Sequence, residues 1–158
     1  RSYEPNVAAT ENEQVFGAFL KISEDGQVIV VVPQSEMGQG DYTVLPQILA
    51  DELGADWRTV AVEPAPINPL YSNSLLAGQW AESLMPSGIG KLANNDALQW
   101  ISQNVTLRDQ FMVTANSTSI PGFAASFREA GAAARVLLTK AAAARWDVAW
   151  ETCRLKMA

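Results

Sequence analysis

Gln39 stands between two glycines, Gly38 and Gly40, with Glu36 and Met37 before them and Asp41, Tyr42 and Thr43 after. Glycines on both sides let the backbone come close to a ligand, because no Cβ stands in the way and left-handed backbone is open to them. The stretch also joins an apolar strand to a helix, a junction that offers N–H groups to an anionic ligand. The same residues also read as a turn that caps the helix starting at Asp41. Glu36, a lone carboxylate beside a glycine turn, reads as a cap or surface group and not as a catalytic acid.

A second cluster, Thr114-Ala115-Asn116-Ser117-Thr118-Ser119, stands before Ile120-Pro121-Gly122 and an alanine-rich segment. Small hydroxyl side chains at a helix start bind phosphate oxygens through O–H and backbone N–H groups together. A polar loop with an ordinary N-cap accounts for them as well. Arg128 and Arg135 are seven residues apart and share a helix face, from which they could reach phosphates or carboxylates. Gly131 and the alanines between them read as close helix packing.

Residue types that are missing narrow the chemistry further. The 158 residues include no histidine, which removes serine–histidine triads, imidazole general bases and histidine-ligated zinc. One cysteine, Cys153, allows no internal disulfide and no four-cysteine cluster held by this chain alone. Eleven Lys and Arg against 17 Asp and Glu give a net charge of -6, unfavourable for nucleic acid and for anionic membrane. An apolar share of 48% against 18% charged predicts an ordered core and suits a chain buried in an assembly. No apolar run approaches the length of a membrane span, so a soluble chain is expected, with any signal peptide absent or removed.

The elements that must position these residues follow from periodicity and turn chemistry. Residues 1–14 are polar and predict an extended arm, with residues 15–158 folding as one unit. Val15 to Ile22 and Gln27 to Val32 predict two strands joined at Ser23-Glu24-Asp25-Gly26, since Asp-Gly is a strong hairpin signal. Leu45, Ile48, Leu49 and Leu53 recur at helical spacing and predict a helix over Asp41–Leu53, with Gly54 as its C-terminal cap. Thr59 to Pro64 predicts a third strand. The prolines from Pro64 to Asn73 predict a loop, Leu75 to Val113 carries a loose helical pattern, and Gly122 to Trp146 predicts a long helix of high propensity. Thr152 to Met157 predicts a strand start. Together these give an α/β chain of α+β layering: a small mixed sheet with packed helices. The five tryptophans read as core and interface groups.

Glu36-Met37-Gly38-Gln39-Gly40, then Leu45-Pro46, then Ala50-Asp51-Glu52-Leu53-Gly54-Ala55-Asp56-Trp57 resemble the molybdenum-cofactor subunit of the xanthine dehydrogenase and aldehyde oxidase group, isoquinoline 1-oxidoreductase β-subunit type. Arg128-Glu129-Ala130-Gly131-Ala132-Ala133-Ala134-Arg135 repeats a further pattern of that family. The resemblance implies that residues 15–158 are the N-terminal portion of a molybdopterin-binding domain, with Gly38, Gln39 and Gly40 beside the cofactor and Gln39 in the catalytic centre, its amide donated to an oxo ligand on molybdenum. An amide suits that task because it donates without adding charge. The Ser117-Thr118-Ser119 stretch matches a loop that wraps the pterin and its pyrophosphate, with Ala115 and Asn116 where the family has two glycines. No side chain of this chain is expected to ligate the metal.

The resemblance further implies oxidative hydroxylation of an aldehyde or N-heteroaromatic small molecule. The cofactor would be molybdopterin in its cytosine dinucleotide form, and electrons would leave to a [2Fe-2S] partner subunit and onward to a membrane cytochrome c subunit. A periplasmic site is implied, with a cytoplasmic one as the alternative. The family's catalytic glutamate belongs to a Gly-Val-Gly-Glu-type motif, which does not occur in this sequence. The expected active site is therefore completed by the remainder of the molybdenum subunit. A non-catalytic scaffold chain of the same fold that has lost the cofactor is the alternative from another class.

Overall fold

The computed structural model describes residues 3–84, 100, 104 and 110–154. Four strands form one mixed sheet in sequence order: β1 (Glu13–Val15), β2 (Leu20–Ser23), β3 (Val28–Val32) and β4 (Val60–Pro64). The first three are antiparallel neighbours, and β4 runs parallel to β3, with Val30 opposite Val62. The parallel step requires a crossover, which α1 (Asp41–Leu53) supplies. Helices α2 (Ser74–Leu84) and α3 (Ser119–Trp146) follow among the described residues. The expected α/β architecture of a small mixed sheet with packed helices is the one observed.

The residue between Val15 and Ile22 that ends the expected single strand is Gly17. Its φ of 87° is left-handed and turns the chain between β1 and β2, so the expected strand is two strands with a tight connection. Phe16 N–H to Leu20 carbonyl at 2.9 Å closes that turn. The polar arm consequently ends inside the sheet, since Glu13 and Gln14 belong to β1.

The core lies between one sheet face and the two longer helices. Leu20, Val28, Val30 and Val32 from the sheet meet Leu45, Leu49 and Leu53 from α1 and Phe123, Phe127 and Ala134 from α3. The leucines of α1 recur every four residues, so their side chains fall on one face and are buried together. All of β3 is buried, which is why it reads as an unbroken β-branched run and not as an alternating one. Gly54, with a φ of 80°, ends α1 and donates its N–H to the Ala50 carbonyl, as its placement predicts.

On the opposite sheet face Lys21 is buried and held by Glu13 and Glu63, each at 3.0 Å, and by the Ala8 carbonyl of the arm. Burial alone would lower its pKa, but the hydrogen bonds and charges of Glu63 and Glu13 outweigh that and raise it. The arm is also tied by Asn68, whose amide donates to the Glu4 carbonyl and the Asn6 side chain.

Within the expected loop from Pro64 to Asn73 the chain makes one 3-10 turn over Pro69–Tyr71. Another such turn, Trp150–Thr152, ends at the first residue of the expected strand Thr152 to Met157, whose residues from Leu155 on lie outside the described residues, and Asp147 in left-handed backbone ends α3 just before it. Most of the weakly patterned stretch Leu75 to Val113 lies outside the described residues. None of the five tryptophans belongs to the core; each is at least 40% exposed.

Candidate functional site

The loop from Pro33 to Gly40 leaves the end of β3 and starts α1. Gly38 and Gly40 have φ values of 97° and 92°, backbone that a residue with a Cβ adopts only under strain. Those two turns fold the loop around the side chain of Glu36. Its carboxylate accepts from the backbone N–H groups of Gly38 at 2.7 Å, Gly40 at 3.1 Å and Tyr42 at 2.9 Å. The Tyr42 and Gly40 N–H groups, in that order, hold the Glu36 carboxyl below the usual carboxylate range. The N–H groups expected to await an anionic ligand are therefore taken by an anion of the chain itself, at the positive end of α1.

Gln39 is exposed, yet its amide is fully engaged inside the loop. Its carbonyl oxygen accepts from the Met37 N–H at 2.6 Å, and Nε2 donates to the Ser35 carbonyl at 2.6 Å and to Asp41 Oδ2 at 2.7 Å.

The second cluster is brought to the same place. A cavity of about 300 Å³ is lined by Met37, Gln39 and Asp41 on one side and by residues of the Thr114–Ile120 stretch, Ser117 and Ser119 among them, on the other. Ser117 is exposed and has a φ of 54°, as does Asn116 before it. Asparagine tolerates left-handed backbone better than most residues, so Asn116 serves where the family pattern has glycine. Ser119 is buried and donates its hydroxyl to Gln34 Oε1 at 3.1 Å. Thr118 does not line the cavity. Its side chain turns into the protein, accepts from Asn73 Nδ2 at 2.8 Å and donates to the Ala115 carbonyl.

Two residues that motif reading does not single out assemble this site. Asn73 is 1% exposed and donates from Nδ2 to the Val113 carbonyl at 2.9 Å and to Thr118 Oγ1, while its Oδ1 caps α2 by accepting from the Leu76 N–H. Gln34, also buried, accepts from Ser119 and, at 3.4 Å, from Asn73. Ser35 N–H to Thr114 Oγ1 at 2.9 Å completes the tie between the two loops. The local signal for Asn73 was its place before a helix start; nothing local marks Gln34 as its partner. Arg128 pairs with Glu52 of α1 at 3.0 Å and stands away from the cavity, as does Arg135. Among the described residues no group of His, Cys, Asp and Glu could hold a metal ion, and no helix is long and apolar enough to cross a membrane.

The geometry offers amides and hydroxyls on two facing walls, with Asp41 as the carboxylate among them. Such a lining fits a neutral heterocycle with N–H and carbonyl edges better than a free divalent cation. Its volume is at the low end for a ligand site, enough for one part of a large cofactor.

Residues 2–69 match the family model of the molybdopterin cofactor-binding domain. Isoquinoline 1-oxidoreductase subunit beta of Brevundimonas diminuta is 31% identical over 144 residues, which cover 91% of this chain and 14% of that protein. A membrane-bound aldehyde dehydrogenase [pyrroloquinoline-quinone] of Gluconacetobacter polyoxogenes is 35% identical over 63 residues, 40% of this chain and 8% of that one. The chain thus spans a small fraction of the length of either relative. With the mixed sheet, the glycine-flanked Gln39 and the family match in agreement, the chain belongs to the molybdopterin cofactor-binding family.

Proposed function

We propose that this chain supplies one side of the cofactor site of a molybdenum hydroxylase that oxidises an aldehyde or an N-heteroaromatic carbon. The observation that carries the reading is the single cavity into which Gln39 and the Ser117 and Ser119 loop converge from distant parts of the sequence. When bound, the cofactor supplies the two-electron oxidation of the substrate carbon. Gln39, Asn116, Ser117 and Ser119 would hold it, the uncharged amides and hydroxyls meeting its pterin edges and phosphate oxygens through hydrogen bonds. Gln39 gives up one of its present Nε2 partners when it donates to a bound oxygen.

Both Gln39 and Ser117 are exposed, which supports a site closed by a second wall from the remainder of the molybdenum subunit. In the proposed scheme the cofactor is the cytosine dinucleotide form, electrons pass to a [2Fe-2S] subunit and a membrane cytochrome c subunit, and the assembly is periplasmic. The aldehyde dehydrogenase relative is named for pyrroloquinoline quinone, so the cofactor itself needs a direct assay.

The test is elemental and pterin analysis of the purified assembly, together with turnover of Gln39→Ala. Molybdenum and pterin in equal amount are expected, with Gln39→Ala folded and slower by on the order of 10²-fold, as for loss of one donor aimed at a reacting oxygen. An assembly without either component would make this chain a scaffold that keeps the fold alone.

A further inference from the structure

We infer that Asp41 is the positioning residue that fixes the Gln39 amide, and thereby sets what this wall of the cavity presents to a bound cofactor. The inference rests on the proposed reading of the site. Asp41 opens α1, is only 2% exposed and lines the same cavity as Gln39. A carboxylate so enclosed needs compensation. Among the described residues it forms no ion pair; α1's positive end and Gln39 Nε2 at 2.7 Å serve instead.

A primary amide has two N–H donors and one carbonyl acceptor. Gln39 uses its carbonyl on the Met37 N–H and its Nε2 on Ser35 and Asp41, so each end has a partner that the opposite end could not take. Turned over, the amide would set its oxygen against a carbonyl and a carboxylate, and its NH2 against an N–H. Met37 and Ser35 contribute backbone, whereas Asp41 contributes a side chain and the charge-assisted bond, the stronger kind. Asp41 is therefore the side chain that, with the Met37 N–H and the Ser35 carbonyl, holds the amide's orientation.

Asp41→Asn in the assembled holoenzyme keeps shape and removes the charge. Retention of molybdenum and pterin during dilution should fall about tenfold, the worth of one charge-assisted hydrogen bond, with the melting temperature nearly unchanged. In a Gln39→Ala background the same change should add nothing, since Asp41 acts through Gln39. Equal losses in both backgrounds, or none in the parent, overturn the inference while leaving the site reading intact. If Gln39→Ala itself retains cofactor and turnover, the site reading fails and takes the inference with it. Gln39→Glu checks the contact apart from the cofactor: it sets two carboxylates face to face and should lower the melting temperature, and adding Asp41→Asn should recover part of that loss, the Ser35 carbonyl still opposing the new carboxylate. No recovery at all overturns the pairing.

Discussion

Gly131 of α3 lies against the carbonyl oxygen of Leu49 in α1 so closely that a Cβ at this position would stand 2.5 Å from it and 3.2 Å from the Leu53 N–H. Both neighbours are helix backbone, which cannot move aside as a flexible side chain does. The missing side chain is what lets the two helices share one core, and the Arg128–Glu52 pair flanks the same contact.

Gly131→Ala is accordingly destabilising, although alanine raises helix propensity by up to about 1 kcal/mol. Overpacking costs roughly 1–3 kcal/mol, so a net loss of up to about 2 kcal/mol is expected. Thermal unfolding of the variant reads it out; a melting temperature equal to or above the parent's would show that the helices separate at little cost.

Asn73→Ala should remove more, because Thr118, the Val113 carbonyl and the Leu76 N–H all lose a partner at once. A lost cap and an unpaired buried group together suggest roughly 2–4 kcal/mol. Chemical denaturation measures that loss, and proteolysis should become faster near Thr114–Ser119. Unchanged stability would mean that water replaces the amide.

The Glu36 carboxyl is held below its ordinary value of 4.5 by the Tyr42 and Gly40 N–H groups, so its contribution is present above that value and lost as pH falls through the depressed one. Glu36→Gln lacks the ionised acceptor at every pH. The melting temperatures of parent and variant should therefore differ most above pH 4.5 and converge in acid. Parallel curves through the acid range would dissociate the loop from this charge.

Burial, with the nearby Glu63 charge, pushes Tyr71 up to about 12 from an ordinary 10.0. Its phenol is fully buried and donates to the Ala18 carbonyl at 2.6 Å. A raised folded pKa means stability intact below pH 10 and lost as pH rises toward 12, by up to about 2–3 kcal/mol at 1.36 kcal/mol per pKa unit. Tyr71→Phe should start lower for want of the hydrogen bond but decline less steeply across that window. Following unfolding from pH 8 to 12 compares the slopes, and identical slopes would remove Tyr71 as the cause.

What the sequence determined by itself was whatever rests on neighbours a few residues apart. The four-residue recurrence of Leu45, Leu49 and Leu53 defined α1 to its end at Gly54, and the alanine run defined most of α3, because helical hydrogen bonds and caps close within one or two turns. Gly38 and Gly40 marked the turn that proves to be left-handed at both positions. Where the first strand breaks shows only in the structure: on either side of the Gly17 turn Phe16 N–H closes on the Leu20 carbonyl, and Val31 N–H bonds the Phe19 carbonyl. Glu36, read as a cap or surface group, fills N–H groups only two to six residues away, a local outcome. The tertiary structure decided that Thr118 faces Asn73 while Ser117 faces the cavity. Those outcomes depend on which of several chemically equal acceptors comes within 3 Å. That selection is made by Gln34, Asn73 and Thr114 meeting across long separations in the chain, and no local pattern encodes it.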